Sequence, residues 1–437
     1  MTGQTITERI LASASNKERV SPRETIEARV NVLMMHDVTS SDAIKLLKKE
    51  FEGKVADGLK VVVTPDHYVP AKDIASAKLY QELKEFVKEQ EARGADIVPY
   101  MLEGGDYGVC HVMLPEKGHV LPGQVIVGGD SHTCTYGAFG AFSTGVGTTE
   151  AGNVLATGRL WFRVPESMKI EVNGKMPRNV MAKDLFLRVV GDIGVDGALY
   201  QAMEWTGPTI ITMNMDERMT LTNMAIEAGA KSGIIAPDDI TFDYLVDKGV
   251  MRRDFFYRKS WLESLGRIKS DSDAQYIAVK KIDASGLEPL VAKPSLPSNV
   301  VPASQLKDVR INQAYIGGCT GGKWTDFDAA AEILRGQKIA KGVRLLVVPS
   351  TADIQRELVR NGLYDTFMDA GAIFSAPTCG ACLGGYMGIL APGESCISST
   401  NRNFRGRMGD PSSEVYLASP KTVAASAIAG HITGAEK

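Results

Sequence analysis

Gln124-Val125-Ile126-Val127-Gly128-Gly129-Asp130-Ser131-His132 sets a short apolar run directly before two glycines and three polar side chains. An apolar run of this length reads as a buried strand, and glycines let the chain turn sharply at its end. Polar groups delivered at a strand's carboxyl end are what an open α/β sheet offers a ligand. The same grammar recurs on either side. Residues 28–35 read as β and lead through His36-Asp37-Val38-Thr39-Ser40-Ser41 into a helical pattern over 42–51. Residues 59–63 read as a strand delivering Thr64-Pro65-Asp66-His67, and 79–93 as a surface helix stopped by Gly94. Further on, 343–348 read as a strand, with a cap at Ser350 and a helix ending near Gly362. Ser419-Pro420 caps and opens the last helix.

The middle of the chain is less regular. Residues 168–172 followed by Asn173-Gly174 predict one arm and the turn of a hairpin. Residues 209–212 predict a strand, and 216–230 a helix that sets Asn223 and Glu227 on one face. The Pro- and Ser-rich stretch 290–304 has the composition of an interdomain linker.

With 437 residues, 44% of them hydrophobic, 23% charged and 44 glycines, the chain has enough core for two or three domains of α/β character. A formal charge of −3 gives no global pull toward nucleic acid or an anionic membrane. No apolar run approaches the roughly 18 residues that span a bilayer. Residues 1–16 are polar and lack the apolar centre of a secretory signal, which predicts a cytoplasmic protein. In that setting six cysteines point to metal or redox chemistry rather than to a disulfide scaffold.

Cys379-Gly380-Ala381-Cys382 is a C-x-x-C, a spacing shared by zinc sites, redox dithiols and cluster ligands. Cys319 lies in Ile316-Gly317-Gly318-Cys319-Thr320-Gly321-Gly322, a strand exit whose glycines let backbone amides approach a cluster's sulfides. Spacing alone divides these three thiols evenly between a metal centre and ordinary buried side chains, and Cys110, Cys134 and Cys396 read as the latter. Three thiols without a fourth suggest a centre with one position open. His36-Asp37, Asp66-His67 and Asp130-Ser131-His132 set imidazoles beside carboxylates, as general acid–base work requires. His111 follows Cys110, and Glu227 alone reads as a surface carboxylate. Asn401-Arg402-Asn403-Phe404-Arg405-Gly406-Arg407 reads either as a solvated basic loop or as a bidentate grip on a di- or tricarboxylate.

Gly129-Asp130-Ser131-His132-Thr133, Asn223-Met224-Ala225-Ile226-Glu227-Ala228-Gly229-Ala230, Cys379-x-x-Cys382 and Asn401-Arg402-Asn403-Phe404-x-Gly406-Arg407 follow one another in that order. Together they make the chain resemble the aconitase superfamily nearly end to end, nearest the large subunits of the 3-isopropylmalate dehydratase and homoaconitase type. The resemblance implies three α/β domains, over 1–165, 166–289 and 290–437, around a central iron–sulfur cluster, without the fourth, swivelling domain. It implies a [4Fe-4S] cluster on Cys319, Cys379 and Cys382, with one iron left to the substrate's hydroxyl and carboxylate. Asp66 with His67, and Asp130 with His132, then manage the proton of the departing hydroxyl, and Glu227 hydrogen-bonds at that oxygen. His111 and Asn223 line the site, Ser131 and His36 touch substrate, and Arg402 and Arg407 grip carboxylates. A separate small subunit, carrying the swivelling domain, is expected to supply a serine base and further arginines, because this chain ends at Lys437.

The implied reaction is the dehydration and rehydration of a substituted malate. 3-Isopropylmalate in leucine biosynthesis leads, with homocitrate or homoaconitate, citramalate and 2,3-dimethylmalate as alternatives. Iron-responsive RNA binding, known among aconitase relatives that lose the cluster, calls for a basic cleft that a slightly acidic chain does not advertise. An electron carrier calls for four protein ligands, and a zinc module for zinc without sulfide. The chain departs from the family's Ser-Cys-Thr-Asn-Gly at Gly318 and Gly321, beside the first cluster cysteine.

Overall fold

The computed structural model describes residues 3–252, 254–265 and 268–435. The apolar run before Gly129-Asp130 forms the strand Val125–Gly128, which lies inside a five-stranded parallel sheet. The order across this sheet is Ile97–Pro99, Lys60–Val63, Val32–Met35, Val125–Gly128 and Phe142–Gly145. All four residues of Val32–Met35 and of Val125–Gly128 are buried, which is why these strands are continuous apolar runs rather than alternating ones. The chain leaves Val32–Met35 toward one side and enters Val125–Gly128 on the other, so the sheet has its switch point between them. A crevice opens at such a point, and His36-Asp37 and Gly129-Asp130 emerge into it.

Residues 28–35 are not one strand. Thr25–Arg29 pairs antiparallel with Arg159–Arg163 outside the main sheet, in alternating burial, and the chain breaks before Val32.

A second sheet runs Ser232–Ile234, Ala202–Thr206, Ser167–Asn173 and Ala278–Asp283, parallel throughout. The hairpin expected at Asn173-Gly174 does not form, because both edges of Ser167–Asn173 are taken by parallel neighbours. Gly174, at φ +81°, instead turns the chain away, and its carbonyl accepts from the Thr209 hydroxyl at 2.6 Å. The strand expected at 209–212 is a short helix, Pro208–Thr212, with proline in the first turn after Gly207. The long helix expected over 216–230 stops at Asn223, and a 3-10 turn carries Met224–Ala228.

The third sheet has seven strands, in the order Val300–Pro302, Leu290–Ala292, Glu414–Ala418, Ser395–Ser398, Gln313–Gly317, Arg344–Val348 and Ile373–Phe374. The expected linker over 290–304 is an antiparallel hairpin at the edge of this sheet, with Leu290–Ala292 fully buried. Its prolines fit because an edge strand has one side free of the ladder. The helix after Arg344–Val348 is capped by Thr351, whose side chain accepts from the Ile354 amide, while the Ser350 hydroxyl turns back to the Gly318 carbonyl at 3.0 Å.

One hydrophobic cluster joins the second sheet to the third, from Met168 and Phe186 to Val348 and Leu417. Burying a side chain such as Phe186 completely is worth about 2–3 kcal/mol. A second cluster, from Leu33 and Val127 to Ile234, joins the first sheet to the second, so that loops far apart in sequence meet at one place. Among the described residues no helix is long and apolar enough to cross a membrane.

Candidate active site and cysteine centre

Loops from the ends of the first-sheet strands supply a chain of imidazoles and carboxylates. Asp66 is fully buried at the exit of Lys60–Val63, and its Oδ1 lies 2.5 Å from His67 Nδ1. His67 Nε2 is 3.5 Å from Asp130 Oδ2. Asp130 Oδ1 receives His111 Nε2 at 2.7 Å and the His132 backbone amide at 2.7 Å. His132 Nε2 then meets Glu227 Oε1 at 2.8 Å, and the same oxygen accepts from Arg402 Nε at 2.7 Å. Seven polar side chains from all three sheets' loops are thereby linked in one network.

Charge follows from this geometry. Burial pushes the Asp66 carboxyl up, but His67 and His36 outweigh it and hold it at about 2. Burial likewise opposes ionisation of Asp130, and His111, His132 and His67 pull it well below the carboxylate range. Burial would depress His67, yet the Cys379 sulfur, Asp66 and Asp130 together raise it well above an ordinary imidazole. The pair of carboxylates thus stays charged around a cationic His67.

His36 and Asp37 are placed differently from a simple pair. The His36 ring stacks on His67 with centroids 4.3 Å apart, and its Nε2 lies near Thr39 Oγ1 and the Gly129 carbonyl, at 3.1 and 3.3 Å. Asp37 does not hold the His36 ring; it accepts the backbone amides of Asp66, His67 and Tyr68 at 3.0, 3.0 and 2.7 Å. It therefore shapes the turn that presents His67, a role that adjacency to His36 in the sequence did not signal. Glu227 is 3% exposed, not the surface carboxylate that helical spacing suggested. Ser131 is partly exposed, its Oγ 3.5 Å from His132 Nδ1.

The third sheet brings the cysteines to the same place. Cys319 sits just past the strand Gln313–Gly317, and Cys379 and Cys382 flank a 3-10 turn, Gly380–Leu383. Asn223 and Asn401 each donate an amide to Cys319 Sγ at 3.2 Å, and Asn401 Oδ1 lies 3.5 Å from Cys382 Sγ. The Cys379 amide donates to the Asp66 carbonyl at 2.8 Å, and Cys379 Sγ lies 3.8 Å from Asp66 Oδ2. Acid–base path and thiols thus share a wall. Burial pushes the Cys319 thiol up to about 12 and Cys379 well above its ordinary range, so these sulfurs ionise only against a bound cation.

Of the arginines, Arg402 reaches Glu227, while Arg405 donates to the Pro411 carbonyl at 3.0 Å and points out of the path. Arg407 Nε and His111 Nδ1 are buried with no hydrogen-bond partner among the described residues. A buried polar atom left unpaired is costly, and a ligand oxygen is what Arg407 Nε lacks.

Residues 8–430 match the profile of the Aconitase family (aconitate hydratase). The chain belongs to the aconitase family. It is 50% identical over 432 residues to the 3-isopropylmalate dehydratase large subunit of Desulfatibacillum aliphaticivorans, covering 99% of each chain. The proteins of that name from Heliobacterium modesticaldum and, as large subunit 1, from Pyrococcus furiosus are each 48% identical, over 98% and 98% of the two chains and 100% and 99% respectively.

Aconitase-family membership implies an iron–sulfur cluster, and the thiols fit one. Among the described residues the three sulfurs do not all lie within 4.8 Å of one another, whereas two histidine–aspartate groups do. A single tetrahedral zinc, with Zn–S near ~2.3 Å, draws its thiolates to about 4 Å. A wider group, with two amide donors on the Cys319 sulfur, suits a cluster.

The departure at Gly318 and Gly321 has a physical basis. Gly318 has φ +74°, where a serine would be strained. A Cβ at Gly321 would stand 2.0 Å from Ser399 Oγ and 2.8 Å from the Ser399 carbonyl. Ser399 fills that volume, and its hydroxyl accepts from the Gly317 amide at 3.0 Å. Gly321→Asn alone is expected to destabilise the chain by roughly 1–3 kcal/mol through overpacking. Adding Ser399→Gly should recover part of that loss. Chemical denaturation of the two variants checks this, and a single variant as stable as the parent would refute the steric account.

Proposed function

We propose that this chain is the large subunit of an iron–sulfur hydro-lyase that interconverts 2-isopropylmalate and 3-isopropylmalate through the dehydrated diacid. The observation that carries the reading is the linked path from Asp66 through His67, Asp130, His132 and Glu227 to Arg402, which runs beside the three cysteines. Large subunits named for this activity, matched over nearly their whole length, supply the substrate.

In this reading Cys319, Cys379 and Cys382 hold a [4Fe-4S] cluster with one iron not ligated by the chain. When bound, the cluster supplies Lewis acidity toward the substrate's hydroxyl and carboxylate oxygens. Hydroxide is a poor leaving group from a 2-hydroxy acid, so a proton must reach the departing oxygen and let it leave as water. His67, held cationic between Asp66 and Asp130, carries that proton at Nε2, and Asp130 with His132 holds the neighbouring hydrogen bonds in line. Glu227, fixed by His132 and Arg402, hydrogen-bonds at the same oxygen. Arg402 and Arg407 grip carboxylates, which also steadies the negative charge that develops when the C–H bond breaks. His111, Asn223, Ser131 and His36 line or back the site. The C–H proton goes to a serine on a small, swivelling-domain subunit, and the chain divides into the units 1–165, 166–289 and 290–437 around the centre.

The test is co-expression with the small subunit and anaerobic assay against isopropyl-, homo-, methyl- and dimethyl-substituted malates. Hydration of isopropylmaleate is expected to lead the panel and to require both subunits. A loaded pair that prefers another alkylmalate would overturn the substrate. A loaded pair that hydrates none would overturn the reaction.

A further inference from the structure

Lys183 is fully buried in the first turn of the helix Ala182–Ile193, the end of a helix dipole that disfavours a cation. No carboxylate lies within salt-bridge distance of its ammonium among the described residues. Its Nζ meets three oxygens instead: Thr320 Oγ1 at 2.9 Å, the Thr400 carbonyl at 2.7 Å, and the Ser399 carbonyl. Both carbonyls can only accept. The Thr320 hydroxyl gives its own proton to the Ser399 carbonyl at 3.0 Å, so it too accepts from Lys183. Three acceptors call for three N–H donors, which an ammonium has and a neutral amine lacks. Burial draws Lys183 down to about 7; Asp326 and the sulfurs of Cys319 and Cys382 act against that pull.

These contacts join segments that nothing in the acid–base path connects. Thr320 follows Cys319, whereas Ser399 and Thr400 precede Asn401, the residue whose amide reaches Cys319 Sγ and whose carbonyl oxygen lies near Cys382 Sγ. Arg402 comes next. Buried Lys323, four residues after Cys319, is paired with Asp326 at 3.0 Å. Lys183 has no such partner.

We propose that Lys183 is a positioning residue that braces the Cys319 loop to the Asn401-Arg402 loop and sets a positive charge without an ion-pair partner beside the cysteine loops. Three thiolates outweigh the charge of an oxidised cluster core, so the loaded site is anionic and Lys183 is its counter-charge. This rests on the reading of Cys319, Cys379 and Cys382 as cluster ligands.

The experiment compares wild type, Lys183→Met and Thr320→Val as anaerobic holoenzymes with the small subunit. It reads far-UV circular dichroism, the decay of iron–sulfur absorbance under a chelator, and the cluster's midpoint potential. Lys183→Met is expected to lose iron about 10–100-fold faster and to be reduced at a lower potential, because removing a nearby positive charge disfavours the added electron. Thr320→Val keeps the charge and cuts one brace, so it should lose iron faster at an unchanged potential. A Lys183→Met holoenzyme with wild-type iron loss and potential overturns the proposal. If that variant does not fold, Thr320→Val decides, and wild-type iron loss there overturns the brace. Wild-type protein without iron–sulfur absorbance would instead defeat the ligand reading.

Discussion

Cys379→Ala, purified anaerobically, is expected to lack iron–sulfur absorbance and to lose at least about 10³-fold in hydro-lyase activity with the small subunit. Lewis-acid activation of a leaving group is worth several kcal/mol, and each 1.4 kcal/mol or so is about tenfold in rate. Cys379 is chosen because its backbone amide, not its sulfur, bonds the Asp66 carbonyl, so alanine keeps that anchor. Its sulfur approaches Asp66 Oδ2 at 3.8 Å and also faces His67, so the spectrum and the iron and sulfide content, rather than the rate alone, assign its role. The matched control is Cys396→Ala: Cys396 is buried within the strand Ser395–Ser398, away from the acid–base path, and its loss should leave the spectrum intact. Visible absorbance with iron and sulfide analysis reads both variants. A Cys379→Ala protein that keeps wild-type iron, sulfide and rate would remove this residue from the centre.

Asp130→Asn should lower kcat by about 10²–10⁴-fold with little change in fold. The substitution is nearly isosteric but replaces an oxygen that accepts from His111 and the His132 amide, near a second that faces His67. It also deletes one of the charges that keep His67 cationic. The sign follows directly. His67 holds its proton in wild type because its pKa is raised, so the alkaline limb of the pH–rate profile lies high. With the carboxylate gone that pKa falls, and the alkaline limb moves to lower pH. Asp42, exposed on the helix Ser40–Glu50, is the control and should change neither quantity when made Asn. An unshifted alkaline limb in Asp130→Asn would assign the titration to another group.

The part of the fold legible in the sequence was the part governed by local rules. Val125–Gly128 and Lys60–Val63 are short apolar runs ended by glycine or proline and polar residues, and each is a buried parallel strand with its polar residues in the crevice. The resemblance to the aconitase family, drawn from ordered motifs, was met by the match over residues 8–430. The failures have local causes as well. Thr209-Ile210-Ile211-Thr212 is rich in β-branched residues and reads as a strand, yet Pro208 in the first turn makes it a helix. In 290–304 the prolines and serines mask two strands of three residues each, too short to show a period.

The site was legible where chemistry-bearing residues sit at strand ends, and illegible where a contact spans the chain. Lys183 and Thr400 are 217 positions apart, and Asn223 and Asn401 are 178 apart. No periodicity links such pairs; only the packing of three sheets does. Asp37 was visible as an acid but not as the acceptor that shapes the Asp66-His67-Tyr68 turn, because its partners are backbone amides from another strand exit.

In the proposed function the chain ligates its centre incompletely and the substrate completes it. Mössbauer spectroscopy of iron-57-labelled holoenzyme, with and without isopropylmalate, tests this most directly. The expected spectrum is that of a cluster in which one iron differs from the others and alone changes when substrate is added. A spectrum in which all irons respond alike, or none responds, would contradict it.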